Sequence, residues 1–153
     1  MLLAHYLGLL HEAERELAEA FREVAEHHGD EPDILSTCRL LAGQCENHAE
    51  RLRPFADRYG EKEDKEPERL HSELFRGSRN GALGMLRDLH DLYLMARESD
   101  LCWTLVGQAA QGARDKELLE TVRTCEGETA RQLKWLMTRM KQAAPQVLLV
   151  ADQ

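Results

Sequence analysis

The 153-residue sequence contains no cluster of lysine and arginine, and its 20 basic side chains are outnumbered by 28 acidic ones, for a formal charge of −8. Binding to nucleic acid draws on counterion release under a basic stripe, so that class of partner is not expected. Long apolar runs are also missing. The longest uncharged stretch, Leu101 to Ala113, carries Gln108 and Gln111 and is too short to span a bilayer. The start, Met1-Leu2-Leu3-Ala4-His5, lacks a basic leader region and Glu12 follows too soon, so no secretory leader is expected. Cysteine is scarce: four residues, at 38, 45, 102 and 125, do not make a disulfide framework. They read as reduced, buried thiols of a cytoplasmic protein.

The usual catalytic signatures are absent as well. No glycine-rich phosphate loop follows a strand, and His11-Glu12 has no second histidine at the spacing of a zinc protease. Cys38 and Cys45 lie seven apart, two turns along one helix face, and cannot form a local Cys-x-x-Cys redox pair. Ser36, Ser72, Ser78 and Ser99 lack the turn context of a nucleophile.

What remains is helix. Apolar residues recur by threes and fours over four long segments, about residues 2–28, 32–59, 82–111 and 115–143. The inner stripe of the first reads as Leu3, Tyr6, Leu10, Ala13, Leu17, Ala20 and Val24, with Glu12, Glu14 and Glu16 among its flanking acids. The third has the cleanest seam: Met85, Leu89, Leu92, Ala96, Ser99, Trp103, Val106 and Ala110. Gly112 is expected to end the third helix and Pro145 the fourth. Only Val147–Val150 could be read as a strand, and it is too short to found a sheet. The expected fold is therefore all-α, one four-helix bundle domain. Short turns make antiparallel hairpins of helices one and two and of helices three and four. The connection over 60–81, with a short helix at Pro67–Arg76, is long enough to return along the bundle as a crossover.

Two tetrapeptides stand at matching depths of the two hairpins, 80 residues apart: Cys45-Glu46-Asn47-His48 and Cys125-Glu126-Gly127-Glu128. Arg51 and Arg131 follow them, and Glu12 lies 33 residues before Cys45. On these residues the chain resembles the ferritin-like superfamily, whose bundles take one glutamate from each of two helices and a Glu-x-x-His from each of the other two. The resemblance implies a four-helix bundle with one long crossover, and a ligand set of Glu12, Cys45, His48, Cys125 and Glu128 for iron, manganese or zinc. Cysteine replaces the first glutamate of both motifs, Glu128 stands where the second histidine would be, and Leu92, beside His90 and Asp91, stands where the third-helix glutamate would be. A carboxylate-rich octahedral site is hard to build from that set.

Each residue also has a plainer reading. Cys45 and Cys125 suit core packing, His48 a hydrogen-bonded core position, and Glu12 a solvated flank. Glu128 interrupts an apolar seam and there must be paired, protonated or metal-bound. The expected function is a non-catalytic dimerising, scaffold or regulatory bundle, the alternative a metal-binding protein of the iron-handling or oxidative-stress type. Four consecutive aliphatics at Val147–Val150 point to a homodimer, with this tail docked on the bundle or placed in the interface.

Overall fold

A computed structural model describes residues 2–60 and 75–150 of the chain. Four helices account for most of it: α1 (Leu2–His27), α2 (Pro32–Tyr59), α3 (Gly81–Ala113) and α4 (Lys116–Pro145), the last followed by a π-helical turn at Gln146–Val150. No strand occurs among the described residues. No described helix is long and apolar enough to cross a membrane. Of the short helix expected at Pro67–Arg76 only Phe75 and Arg76 are described, and both are non-helical; the rest lies outside the described residues.

α1 packs against α2 and α3 against α4, while α1 also meets α3 and α2 meets α4. α1 and α4 make no close approach, nor do α2 and α3, so these pairs occupy the diagonals. Side-chain ties fix the directions. At one end Tyr59 and Arg58 close α2 on Asp115, the first residue before α4. At the other, His27 Nε2 donates to Asn80 Oδ1 and His28 Nε2 to Asp88 Oδ2, joining the end of α1 to the start of α3. Arg139 of α4 reaches Asp33 of α2 at that same end. All four neighbouring pairs therefore run antiparallel, and residues 60 and 75–80 stand at opposite ends of the bundle.

One helix end departs from the sequence reading. α3 does not stop at Gly112. It runs to Ala113, and Arg114 takes the left-handed conformation instead, with φ of 56°. The Arg114 N–H bonds to Gln111 C=O and the Asp115 N–H to Ala110 C=O, so paired capping bonds carry a non-glycine residue there. Asp115 then accepts from Leu118 N at 3.0 Å, capping α4 at once. α4 does end at Pro145 as expected, but the chain beyond it does not straighten. Proline has no N–H to donate, but the wider π-helical turn after it keeps the chain coiled, and Val147 packs into the core while Leu148, Leu149 and Val150 stay exposed.

The seam expected on α3 is buried throughout. On α1, Leu10, Ala13, Leu17, Ala20 and Val24 of the expected stripe are buried, joined by Leu7, Glu14 and Phe21, while Tyr6 is exposed. The core divides into two apolar clusters. One surrounds Phe21, Ile34, Cys38, Leu89, Leu92 and Leu136. The other surrounds Leu10, Leu52, Trp103, Val106, Leu118 and Cys125. Between them, at mid-bundle, lies a layer of polar side chains.

Candidate functional site

Each helix contributes to this layer. Glu14 belongs to α1, and His48, with Cys45 one turn before it, belongs to α2. Ser99 and Trp103 come from α3; Glu128, Thr129 and Gln132 come from α4. Glu14, His48, Ser99, Thr129 and Gln132 are all buried, and the Glu128 side chain keeps 21% of its surface. Trp103 donates its indole N–H to Glu14 Oε1 at 2.8 Å. His48 donates from Nε2 to Glu128 Oε1 at 3.2 Å. On the other side of the ring, His48 Nδ1 faces Glu14 Oε2 at 3.3 Å, within ion-pair range but off hydrogen-bond alignment. The indole of Trp103 meets the imidazole edge-on, with ring centres 5.9 Å apart. Gln132 extends the layer, donating to Gln44 Oε1 at 3.1 Å and to Cys45 Sγ at 3.6 Å. Thr129 is satisfied within α4 by the Cys125 carbonyl.

The electrostatics follow from burial and the two carboxylates. Burial opposes a charged imidazole, but the hydrogen bonds and charges of Glu14 and then Glu128 outweigh it and raise His48 above its ordinary pKa. Burial pushes the Cys125 thiol up to about 12; Glu14 and Glu128 add to this and Arg51 opposes it. Cys45 is driven well above its usual value by burial and by Glu14. Both cysteines are therefore neutral thiols and poor nucleophiles.

The expected tetrapeptides do meet across the bundle: His48 touches Glu128, while Cys45 and Cys125 lie buried on either side. Glu12 does not join them. It is exposed on α1, and the carboxylate that points inward is Glu14. Successive helix residues turn by about 100°, so two positions amount to about 200°, nearly the opposite face. Opposite Glu14 on α3 stands Trp103, not Leu92, which packs among apolar residues. Glu14 carried a signal in the sequence, for Leu3, Leu7, Leu10, Glu14, Leu17, Phe21, Val24 and His28 keep an unbroken four-three spacing.

A metal fits this arrangement poorly. One cation would need the carboxylates on the same side of the imidazole, and here they take opposite ring nitrogens. No group of three or more histidine, cysteine, aspartate or glutamate side chains could hold a metal ion among the described residues. A groove of about 520 Å³ between α1 and α2, bordered by His11, Arg15, Asn47 and Arg53, passes outside the layer and does not reach Glu14, His48 or Glu128.

A second polar cluster closes one end of the bundle. Asp88, fully buried on α3, accepts from His28 Nε2 at 2.8 Å and from both the backbone N–H and Nη1 of Arg79 at 2.9 Å. Arg79 Nη2 continues to Asp91. These contacts seat residues 79–80 on α3. Gly84 is needed there, because a Cβ would come within 2.8 Å of the Arg79 carbonyl carbon.

Comparison of the chain with protein-family models, with curated proteins and with solved structures found no match.

Proposed function

We propose that the chain is a ferritin-like four-helix bundle without a complete di-metal site, acting as a non-catalytic module that dimerises or scaffolds other proteins. One observation carries this reading: the two ring nitrogens of the buried His48 face carboxylates from two different helices on opposite sides of the imidazole, so no single ion can be held by the histidine and both carboxylates. The layer then serves to lock helix register, because sliding α1 or α4 by one residue would strip a buried charge of its partner. The ferritin-like topology is supported by the parallel diagonal pair α2 and α3. Gly60 and Phe75 stand at opposite ends of the bundle, as the two ends of a crossover would. A cytoplasmic location is supported by four free, buried cysteines.

Incubation of untagged protein with Fe(II), Mn(II) or Zn(II), followed by desalting and metal analysis, tests the reading. The expected result is metal far below one ion per chain, unchanged in Glu128→Ala. One ion per chain that disappears in Glu128→Ala would overturn it. That result would favour the metal-binding alternative of iron-handling or oxidative-stress type, which has in its favour that Glu14 Oε2 and His48 Nδ1 are buried without a hydrogen bond.

A further inference from the structure

α3 carries large apolar residues on two faces. Its inner seam is buried, yet Leu83, Leu94, Leu101 and Leu105 line the outer face and remain exposed. Residues 83, 94, 101 and 105 fall within about 40° of one another at 100° per residue, one stripe on a sector that also carries Arg87, His90 and Arg97 and is uncharged from Leu101 onward. Two grooves run beside the stripe where α1 meets α3. One, of about 300 Å³, is lined by Leu2, Leu3, Tyr6, Leu105, Val106 and Ala109. The other, of about 230 Å³, shares Tyr6 and Leu105 with it and adds Leu101, Cys102 and, at its edge, Glu98. The apolar patch runs through both grooves and is bordered by that carboxylate.

We infer that this α1–α3 face is a two-fold interface with a second copy of the chain, α3 packing antiparallel on α3 with Leu101 near the axis. The inference rests on the proposed role as an association module and names the surface that serves it. Area supports it. Leu2, Tyr6, Leu94, Leu101 and Leu105 leave 83, 38, 36, 60 and 45% of their surface exposed, on the order of 450 Å² and at the size where patches mark interaction sites. A stable dimer buries about 800 Å² per partner, a little over half of it apolar, and this patch supplies that share. Charge supports it too. The chain carries −8, but its longest uncharged stretch, Leu101–Ala113, forms the centre and one end of this face. Antiparallel packing about Leu101 sets this uncharged end of each copy against the half of its mate that carries Arg97 and Glu98, so those side chains meet no like charge from it, whereas an anionic membrane would be repelled by the rest of the molecule. Leu101 stands midway between Leu94 and Gln108, so a two-fold axis beside it sets each copy's Leu94 near its mate's Gln108 and Leu101 against Leu101.

Sedimentation of the full chain at micromolar concentration is expected to give about twice the chain mass of 17.5 kDa. Leu101→Glu and Leu101→Lys, at an exposed position, are each expected to sediment as monomers with unchanged helical circular dichroism. Mixed in equal amounts they are expected to pair, because the axis brings the two new charges together. The Leu148→Ser/Leu149→Ser variant is expected to remain dimeric. A monomeric wild-type chain, a dimer that survives both Leu101 variants, or dissociation by the tail variant alone would overturn the inference. So would a monomer that floats with phosphatidylcholine vesicles, which would assign the face to a lipid surface. Metal bound in the test of function would refute the proposed role and leave this interface standing; a monomeric chain without metal would do the reverse.

Discussion

Replacing Glu14 by glutamine removes one negative charge from the centre of the bundle and changes almost nothing else. The glutamine carbonyl can still accept the Trp103 indole N–H that Glu14 Oε1 now holds at 2.8 Å, so the loss falls on His48. The amide NH2 then stands where Oε2 stood, 3.3 Å from His48 Nδ1, and only Glu128, partly open to solvent, remains to balance the imidazolium. A hydrogen bond or contact to a charged group contributes about 1.5–3 kcal/mol, so Glu14→Gln should destabilise the protein by about 2 kcal/mol near pH 6. For a chain of this length each kcal/mol shifts the melting temperature by about 2–4 °C, which makes the expected drop about 4–8 °C. Glu14→Leu also orphans the indole N–H and should cost about 3–5 kcal/mol in all. Urea denaturation of Glu14→Gln, His48→Gln and the double variant yields the coupling between them, which should exceed about 1 kcal/mol, where independent sites agree to within about 0.5. A Glu14→Gln variant as stable as the wild type, with coupling near zero, would refute the reasoning.

Other outcomes follow from the same contacts. His48 is raised above its ordinary value, so folding favours its protonated form; its contribution is complete below about pH 6.5 and is lost as pH rises through the folded-state value. The melting temperature should therefore decline on the alkaline side, and His48→Gln should flatten that part of the profile; an identical slope in both proteins would contradict the assignment. Asp88→Ala strands His28 and Arg79 at the end of the bundle and should lower stability by about 2–4 kcal/mol, a range already reduced for the partial exposure of Arg79. Asp91→Ala, which loses one bond from the partly exposed Arg79 and strands no histidine, should cost about 1–2 kcal/mol in the same urea titration; equal losses would be inconsistent with the argument from partners. Burial lifts the Cys38, Cys102 and Cys125 thiols to about 12 and Cys45 well above its usual value. A thiol-reactive disulfide reagent at pH 8 should accordingly label none of the four until urea is added, and rapid labelling of the native protein would show an open thiol.

The four helices, their lengths and the inner seam of α3 were legible in the residues alone, because three-four spacing and flanking turn residues act locally. So was the meeting of His48 with Glu128, since matching depths on two antiparallel hairpins bring those turns together whatever the side chains do. The helix ends were less legible. Gly112 is a strong local stop signal, yet paired capping bonds at Arg114 moved that end outward, and after Pro145, where α4 does end, a π-helical turn continues the coil. The identity of the α1 carboxylate needed the tertiary structure. Leu3, Tyr6, Leu10, Ala13 and Leu3, Leu7, Leu10, Glu14 are both sound helical stripes, about 100° apart where they part. The structure draws on both, for Ala13 and Glu14 are each inside. α1 is enclosed by α2 and α3 together, so its buried sector is wider than one stripe, and that enclosure brought Glu14 to His48 and Trp103 and left Glu12 in water.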